Sequence, residues 1–419
     1  MSAKEKKLCN IRFEPSGLKV EVPRGTNLLE AARLAGVYLT SICGGDGYCG
    51  KCKVIVDAGE VRSRPTTLLT QREVRENFCL ACQSQVFGDL AVTVPKSHGL
   101  ETTQILMDSD AHRFSQLDGE APEAEAFPFD PLVRKFLLKM SPPTVQDNTA
   151  DHERLYVAIG EQIDAPVMQT GFRILQQLPG ILQKADYKVT ATVARRGGNV
   201  REVVQVEPGD CTGRNFAVVV DVGTTTVVAH LVNLSSATTV DSEATYNSQM
   251  HFGEDYIRRI MYAEQNDAFG ELQDRIVGDV NSLITTLAVR QNVDLQEITA
   301  VMCSGNTAMV HFLLNLDSRR IRREPYVAAA ALVPPIRAAE AGIRINKRGL
   351  LYCLPSVAAY VGSDIVAGVL ATRLYNAQKV CLFVDIGTNG EVVLGNREWM
   401  VCASSSAGPA FEGSGVRHG

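Results

Sequence analysis

The sequence contains little of what membrane-spanning, secreted or nucleic-acid-binding proteins need. No apolar run reaches the roughly 20 residues of a transmembrane helix, and the first seven residues, Met1 to Lys7, have charges with no apolar core behind them. We therefore expect a cytoplasmic protein that does not enter a membrane. The net charge is −5 and no basic run is present, which argues against nucleic acid and anionic lipid surfaces as partners.

Disulfide-stapled folds are disfavoured as well, because the 11 cysteines are odd in number and five of them crowd between positions 43 and 82. That distribution fits a metal site in a reducing compartment better than a disulfide framework. The other six stand alone, and we interpret most of them as packing residues: Cys9, Cys211, Cys303, Cys353, Cys381 and Cys402. A length of 419 residues predicts about three domains.

The most informative stretch runs from Cys43 to Cys52 and reads Cys-Gly-Gly-Asp-Gly-Tyr-Cys-Gly-Lys-Cys. Its three cysteines follow a C-x5-C-x2-C spacing, with four glycines among them. Glycine lets a backbone wrap closely around an inorganic cluster and aim N–H groups at its sulfurs. The loop resembles that of plant-type [2Fe-2S] ferredoxins, C-x4-C-x2-C and then a distant cysteine, with one residue inserted as in adrenodoxin-like ferredoxins. Cys43, Cys49 and Cys52 are therefore predicted cluster ligands.

The fourth ligand must come from the segment 78–83, which offers Cys79 and Cys82. We favour Cys82, because Leu-Ala-Cys-Gln resembles the closing motif of ferredoxins, and Cys79 is then a spare buried thiol. Two alternatives compete with the cluster. A four-cysteine zinc site would use the two C-x2-C pairs, but their separation is longer than usual for zinc and Cys43 stays unexplained. Buried thiols without a metal do not suit so polar and glycine-rich a setting.

The region 8–95 is predicted to be one β-grasp domain of the [2Fe-2S] ferredoxin type. Its elements are four strands and a helix capped by Asn27 and ended by Gly36, expected at Cys9–Phe13, Leu18–Val22, Asn27–Ala35 (the helix), Lys53–Asp57 and Leu90–Val94. The region 96–131 is acidic and rich in small residues, so we interpret it as an extended linker.

The region 132–214 is predicted to be a small α/β middle domain. We expect helices at Leu132–Lys139 and Phe172–Leu178 and strands at Lys188–Ala194 and Arg201–Val206. It holds no cluster of chemistry-bearing residues, so our interpretation is a structural domain that could also form a homodimer.

The region 215–419 contains an internal repeat. Asp221-Val-Gly223-Thr224-Thr225-Thr226 is echoed, 164 positions later, by Asp385-Ile-Gly387-Thr388-Asn389-Gly390. Each copy reads as a buried strand, an acidic residue, a Gly-Thr turn and a second strand. In such turns, backbone N–H groups and hydroxyls point toward phosphate oxygens, and the aspartate positions Mg²⁺ or its waters.

A single D-x-G-T is often only a hairpin turn, but two copies resemble the superfamily of actin, sugar kinases and heat-shock chaperone ATPases, which bind ATP between two related halves. The resemblance predicts an actin-like (ribonuclease H-like) ATPase domain at 215–419, binding ATP with Mg²⁺. The whole chain is then a multidomain α+β and α/β protein. The Ser-Gly-Asn-Thr turn at 304–307 has two interpretations, a turn that approaches the nucleotide or an ordinary helix cap at Asn306. Asp364 is interpreted as a charge in a first helical turn, and His251 and His311 as packed or solvated histidines.

This order of domains resembles the reductive activators of corrinoid proteins. The matching sequences are the cluster loop, Leu-Ala-Cys-Gln, the two repeat motifs, Ser-Gly-Asn-Thr-Ala-Met (304–309) and Ala-Gly-Pro-Ala-Phe-Glu-Gly (407–413). The resemblance implies an ATP-hydrolysing enzyme that rescues corrinoid methyl-transfer proteins by passing one electron to inactive Co(II), giving Co(I). A plant-type cluster lies near about −400 mV, and the resemblance implies a lower cobalt couple, so the electron moves uphill without ATP.

The resemblance also implies roles for individual residues. Cys43, Cys49, Cys52 and Cys82 hold the cluster, while 221–226 and 385–390 clasp the phosphates, and either Asp221 or Asp385 orients the attacking water. The implied partners are the corrinoid protein of a methyltransferase system and a low-potential electron donor, ferredoxin or flavodoxin.

The C-terminal end departs from this pattern, because only 34 residues follow Asp385. We therefore expect a fragment or truncated product with incomplete nucleotide binding. The alternative from another class is a non-catalytic [2Fe-2S] electron carrier or redox sensor whose degenerate ATPase-like domain serves for docking. The long linker further predicts that the ferredoxin domain swings freely and that ATP does not act on the cluster itself.

Overall fold

The computed structural model describes residues 8–37, 39, 41, 45, 47, 50–95, 129–164 and 167–406. These residues form three successive units, each with its own sheet or sheets. The predicted acidic linker lies almost wholly outside the described residues, as do Cys43 and Cys49. In the part of the chain that is described, no helix has the length and apolar character needed to cross a membrane.

The first unit is a five-stranded β-grasp sheet covered by one helix. Its strand order is β2-β1-β7-β3-β5, with β1 parallel to β7, and β4 pairs with β6 beside it. The elements are β1 (Leu8–Glu14), β2 (Leu18–Pro23), α1 (Leu28–Leu34), β3 (Lys53–Ala58), β4 (Val61–Ser63), α2 (Gln71–Arg75), β5 (Phe78–Leu80), β6 (Ser84–Val86) and β7 (Leu90–Thr93). The predicted ferredoxin-type fold is confirmed.

Helix α1 begins and ends where the sequence predicts. The Asn27 side chain accepts hydrogen bonds from the N–H groups of Leu29 and Glu30, and Gly36 follows the helix at a φ of +73°. The buried face of the helix consists of Leu28, Leu29, Ala31 and Ala32, which pack into the core of the first unit.

The second unit is a four-stranded sheet in the order β8-β10-β11-β9 with two helices. Its elements are β8 (Val133–Lys139), α3 (Asp151–Gly160), β9 (Val167–Thr170), α4 (Phe172–Lys184), β10 (Lys188–Gly197) and β11 (Val200–Pro208). The prediction of a helix at Leu132–Lys139 is wrong. Val133, Phe136 and Leu137 have helical spacing, but antiparallel pairing of this segment with β10 decides its conformation.

The third unit carries a six-stranded sheet in the order β14-β13-β12-β15-β17-β16 and a three-stranded sheet in the order β18-β19-β20. Its elements are β12 (Phe216–Val222), β13 (Thr226–Asn233), β14 (Thr238–Tyr246), α5 (Tyr256–Asn266), α6 (Phe269–Arg290), β15 (Ile298–Gly305), α7 (Thr307–Leu313), β16 (Ile336–Arg337), β17 (Leu350–Cys353), α8 (Ser363–Thr372), β18 (Cys381–Ile386), β19 (Asn389–Gly395) and β20 (Met400–Ser406).

Both copies of the internal repeat fold alike, as three-stranded antiparallel meanders. In the larger sheet β12 also runs parallel to β15, and β15 parallel to β17, which is the ribonuclease H-like arrangement. The expectation of a buried first strand is right for β12 but wrong for β18, where Leu382 is 63% and Ile386 57% exposed. Among the described residues, the opposite face of β18 is the covered one, where Phe383 packs against Gly368 of α8.

A buried ion cluster joins the second unit to the third. Glu202 on β11 is 1% exposed and forms ion pairs with Arg196, Arg337 and Arg348. Burial alone would raise the pKa of Glu202, but the arginines lower it below its ordinary value. Apolar contacts surround the junction and come from Val133, Ala194, Val204, Ala217, Ala300, Leu350 and Tyr352.

Replacing Glu202 by alanine should destabilise the chain by about 3–5 kcal/mol, because it leaves guanidinium groups in a partly buried junction without their carboxylate. The free energy of unfolding, from urea titration followed by circular dichroism, measures this loss. Glu76→Ala is the control, because Glu76 pairs with Arg72 in solvent, and such pairs contribute about 0–1 kcal/mol. Equal effects of the two substitutions would show that the Glu202 cluster does not hold the units together.

Candidate functional site

The first Gly-Thr turn joins β12 to β13, and its carbonyl groups are held from one side. The Asn247 side chain donates a hydrogen bond to the Gly223 carbonyl at 2.8 Å, and the Asn247 N–H donates to the Thr225 carbonyl at 2.8 Å. Arg259 donates from Nη2 to the Thr224 carbonyl. Since the C=O and N–H of a peptide unit point in opposite directions, these contacts direct the N–H groups of the turn away from Asn247 and Arg259.

Glycine is required at position 223 by close approach of the backbone. A Cβ there would lie 2.4 Å from the carbonyl oxygen of Thr226. The tight turn therefore brings successive peptide groups together, as a phosphate-binding turn requires.

The second Gly-Thr turn meets the first directly. The hydroxyl oxygens of Thr225 and Thr388 are 3.2 Å apart, and both residues are buried. The positions are 163 residues apart in the chain. Tertiary folding thus brings the two predicted phosphate-binding motifs, 221–226 and 385–390, into one site.

A third segment, the start of α8, closes the site from the side of β15. The Ser363 hydroxyl oxygen accepts a hydrogen bond from the Gly305 N–H at 3.0 Å and also lies 3.0 Å from the Gly305 carbonyl. A Cβ at Gly362 would lie 2.5 Å from that same carbonyl oxygen. This close packing sets Asp364 beside the second motif.

Three carboxylates interact at this point: Asp364, Asp385 and Glu391. Burial raises the pKa of Glu391 to about 7, and the charges of Asp364 and Asp385 add to the shift. Burial likewise raises the pKa of Asp364 to about 6, with a further contribution from Asp385. Clustered carboxylates that resist ionisation are typical of sites that bind a cation or move a proton.

Sequence reasoning misses the roles of Asp364 and Glu391. Asp364 reads in the sequence as an ordinary charge at a helix start, and Glu391 is not among the predicted site residues. The available signal for Glu391 is its place directly after the second motif, on the strand that leaves the turn. For Asp364 only the packing of α8 against β15 reveals the proximity.

The cluster-binding part of the first unit brings Cys52 and Cys82 together, with their sulfur atoms 3.2 Å apart. Cys82 is held in place by Asn27, whose side-chain amide donates to the Cys82 carbonyl at 2.8 Å, while its oxygen caps α1. The Gln83 amide nitrogen lies 3.8 Å from the Cys82 sulfur and can donate to it. Charge-assisted hydrogen bonds of this kind favour a thiolate.

Cys79 has a different environment. It lies on β5 opposite Val54, 5% exposed, in the core of the first unit. Burial raises the pKa of its thiol, against hydrogen bonds from Ser84 and Ser63. A thiol that resists ionisation is a poor metal ligand.

The described part of the loop fits a cluster. Gly47 has a φ of +85°, a conformation that favours glycine, and a Cβ there would lie 2.2 Å from the side-chain nitrogen of Gln83. Two of the four predicted ligands, Cys52 and Cys82, thus lie together. The other two, Cys43 and Cys49, lie outside the described residues, and all four remain predictions.

Comparison with protein families gives four consecutive matches. A 2Fe-2S iron-sulfur cluster binding domain covers 11–87, the RACo linker region 122–213, the RACo middle region 216–377, and the C-terminal domain of RACo, the ASKHA domain, 379–419. The chain belongs to the RACo family. The predicted resemblance to reductive activators of corrinoid proteins is confirmed, as is the multidomain fold.

Individual relatives agree with this assignment. The chain is 25% identical to the corrinoid activation enzyme RamQ of Eubacterium limosum over 403 residues, which cover 96% of this chain and 61% of RamQ. It is 38% identical to a solved structure titled reductive activator for corrinoid,iron-sulfur protein, with a TM-score of 0.67 and coverage of 98% of this chain and 65% of that chain. The chain therefore spans 61 to 65% of the length of these two relatives.

A shorter match lies outside the RACo family. A component of the Na(+)-translocating NADH-quinone reductase of Haemophilus ducreyi (strain 35000HP / ATCC 700724) is 36% identical over 116 residues, which cover 26% of this chain and 28% of that component. This match is thus confined to about a quarter of each chain.

Cys82→Ser should abolish or strongly perturb the cluster, whereas Cys79→Ser should leave it nearly intact, because only the Cys82 sulfur lies beside that of Cys52. Iron and acid-labile sulfide analysis of anaerobically purified protein, with visible absorption spectra, measures the outcome. About two irons and two sulfides per chain are expected for the unsubstituted protein and for Cys79→Ser. The reverse pattern would make Cys79 the fourth ligand, and zinc without iron would exclude a redox cluster.

Glu391→Gln should change how stability depends on pH. The raised pKa of about 7 means that the folded chain favours neutral Glu391, so this contribution to stability is present at low pH and lost as the pH rises through about 7. In buffer free of nucleotide and Mg²⁺, the free energy of unfolding of the unsubstituted chain should fall relative to that of the variant as the pH rises from about 5 to about 8. The difference should reach up to about 3 kcal/mol.

The matched control is Glu398→Gln, at an exposed position on the turn between β19 and β20. Thermal unfolding at the two pH values measures the stability of both variants and of the unsubstituted chain. A pH-independent difference between Glu391→Gln and the unsubstituted chain would show that Glu391 ionises normally in the folded protein.

Proposed function

We propose that this chain is an ATP-dependent reductive activator of a corrinoid methyl-transfer protein, passing one electron through a [2Fe-2S] cluster to reduce inactive Co(II) to Co(I). The proposal rests on the confirmed family, on the names of the relatives, and on one observation above the others. The two phosphate-binding motifs, 163 residues apart at Thr225 and Thr388, meet at 3.2 Å in a chain that also carries a ferredoxin-type domain.

Cys43, Cys49, Cys52 and Cys82 are the proposed cluster ligands. When bound, a [2Fe-2S] cluster accepts and releases single electrons, near about −400 mV for the plant type. The chain's own contribution is to position the thiolates: Asn27 fixes the Cys82 backbone and Gln83 lies within reach of the Cys82 sulfur.

The proposed nucleotide site uses the two motifs in equivalent ways. Gly223, Thr224, Thr225 and Thr226 on one side, and Gly387, Thr388, Asn389 and Gly390 on the other, offer N–H groups and hydroxyls to the phosphates of ATP. Asp221 and Asp385 position Mg²⁺ or the attacking water, and Asp364 and Glu391 surround Asp385 with further carboxylate oxygens. Mg²⁺ prefers oxygen ligands of this type.

One electron passes through the chain in each activation. A low-potential donor of the ferredoxin or flavodoxin class supplies this electron, which leaves the first unit for cobalt, so that Co(II) becomes Co(I). Because the transfer is uphill from a cluster of ordinary potential, binding or hydrolysis of ATP must favour the product state of the complex.

The test supplies a reduced donor, ATP with Mg²⁺ and a corrinoid protein in the Co(II) state, and records Co(I) by absorption and phosphate release in parallel. The unsubstituted chain should accumulate Co(I) only with ATP, and the corrinoid protein should stimulate hydrolysis. Asp221→Asn and Asp385→Asn should lower both rates by about 100-fold or more, since each removes a charge beside the phosphates.

Asp274→Asn is the matched control, because Asp274 lies on the exposed face of α6, and it should behave like the unsubstituted chain. Reduction of cobalt at the same rate without ATP would instead identify a non-catalytic electron carrier. A rate of ATP hydrolysis that is the same with and without the corrinoid protein would also contradict the proposal.

A further inference from the structure

The ferredoxin unit touches the nucleotide-binding unit beside the cluster loop. The Ser41 N–H donates a hydrogen bond to Oε1 of Glu254 at 2.7 Å, across 213 positions of the chain. Both residues are buried, Ser41 at 6% and Glu254 at 7% exposed. Ser41 precedes the predicted ligand Cys43 by two residues, so the contact lies at the root of the cluster loop.

The surfaces around this contact are closely fitted. Leu29, Arg33 and Leu39 of the first unit face Met250, His251 and Gly253 of the third across a cavity of only about 10 Å³. The Arg33 side chain is partly buried there, and this burial lowers its pKa. Ser41 is therefore one point of an interface that extends along α1.

From Glu254 the contacts continue to the first phosphate-binding turn. Gly253, the neighbour of Glu254, accepts a hydrogen bond at its carbonyl from Nε of Arg259 at 2.8 Å. The same guanidinium donates from Nη2 to the Thr224 carbonyl. Arg259 is fully buried. One rigid side chain thus connects the peptide before Glu254 with the turn proposed to hold phosphate.

This connection has little room to deform. A Cβ at Gly253 would lie 2.7 Å from the Cβ of Arg258 and 3.0 Å from the Arg259 N–H nitrogen. Close-packed interiors transmit a displacement to their neighbours and do not absorb it. A shift of Thr224 on nucleotide binding would move Arg259, and with it the Gly253 carbonyl and Glu254.

We propose that Arg259 and Glu254 couple the nucleotide site to the cluster loop, so that nucleotide binding at Thr224 changes the reduction potential of the cluster through Ser41. Glu254 acts as a positioning residue, since it touches the backbone of the cluster loop and no reacting atom. The inference rests on the proposed function and adds a route from ATP to the electron carrier within a single chain.

The contact corrects an expectation drawn from the linker. A freely swinging ferredoxin domain predicts that ATP leaves the cluster unaffected. The structure instead docks that domain, through Ser41, onto the residue that follows Gly253. The contact between the two units fixes their relative position, whatever covalent connection joins them.

Thermodynamic linkage gives the proposal a quantitative form. If nucleotide binding shifts the potential, reduction must change nucleotide affinity by the corresponding factor. For a one-electron couple, a tenfold difference in affinity between the oxidised and reduced chain corresponds to about 59 mV in midpoint potential. The two measurements must therefore agree with each other.

The test uses the full cluster-loaded chain with ADP and a non-hydrolysable ATP analogue as probes. Calorimetry gives nucleotide affinity in the oxidised and reduced states, and potentiometric titration followed by electron paramagnetic resonance gives the midpoint with and without nucleotide. The unsubstituted chain should show unequal affinities and the matching shift. Glu254→Ala should still bind nucleotide but lose the shift, whereas Glu254→Gln, which keeps the acceptor for Ser41, should retain it.

Hydrogen–deuterium exchange of the peptide containing Ser41 supplies a second measurement that needs no variant, and nucleotide should change its exchange rate. Tight nucleotide binding with no change in potential or exchange would overturn the coupling and leave the proposed function standing. A full shift in Glu254→Ala would also overturn it. Absence of nucleotide binding in every form would overturn both proposals.

Discussion

The buried guanidinium of Arg259 is the constraint on which the candidate site depends. A charge removed from water is costly unless its hydrogen-bonding groups are satisfied, and Arg259 donates to the carbonyls of Gly253 and Thr224 and to the side-chain oxygen of Gln249. Those partners belong to the segment after β14 and to the first phosphate-binding turn. The hydrogen bonds that Arg259 must make therefore fix the position of the turn relative to Gly253. Gly253 adjoins Glu254, which contacts the ferredoxin unit.

The other side of the site contains carboxyl groups whose ionisation the fold disfavours. Asp364, Asp385 and Glu391 approach one another because α8 packs on β15 and β19 returns beside β18. Burial raises the pKa of Asp364 and Glu391, and mutual repulsion raises it further. A bound cation would relieve that repulsion, which is why these carboxylates suit the Mg²⁺ of the proposed nucleotide site.

The second unit has a supporting role in this arrangement. Its sheet is joined to the third unit by Glu202 with its arginines and by a hydrogen bond from the Tyr352 hydroxyl to the Arg195 carbonyl at 2.6 Å. Neither contact involves a residue of the two Gly-Thr turns. The unit thus packs against the strands β12, β15 and β17 through Ala217, Ala300, Leu350 and Tyr352, and the carboxyl ends of β12 and β15 carry the first turn and Gly305.

The sequence by itself determined the ferredoxin-type unit, the repeat and the motifs, because these depend on local requirements: cysteine spacing, glycine where backbones approach closely, and alternating apolar residues. Tertiary structure decided what distant segments do together. It made Val133–Lys139 a strand through pairing with β10 and brought Thr225 to Thr388. It also placed Asp364, Asp385 and Glu391 where their charges interact, and set Ser41 against Glu254. Such contacts join residues far apart in the chain, and their energies come from burial and pairing, which no local pattern records.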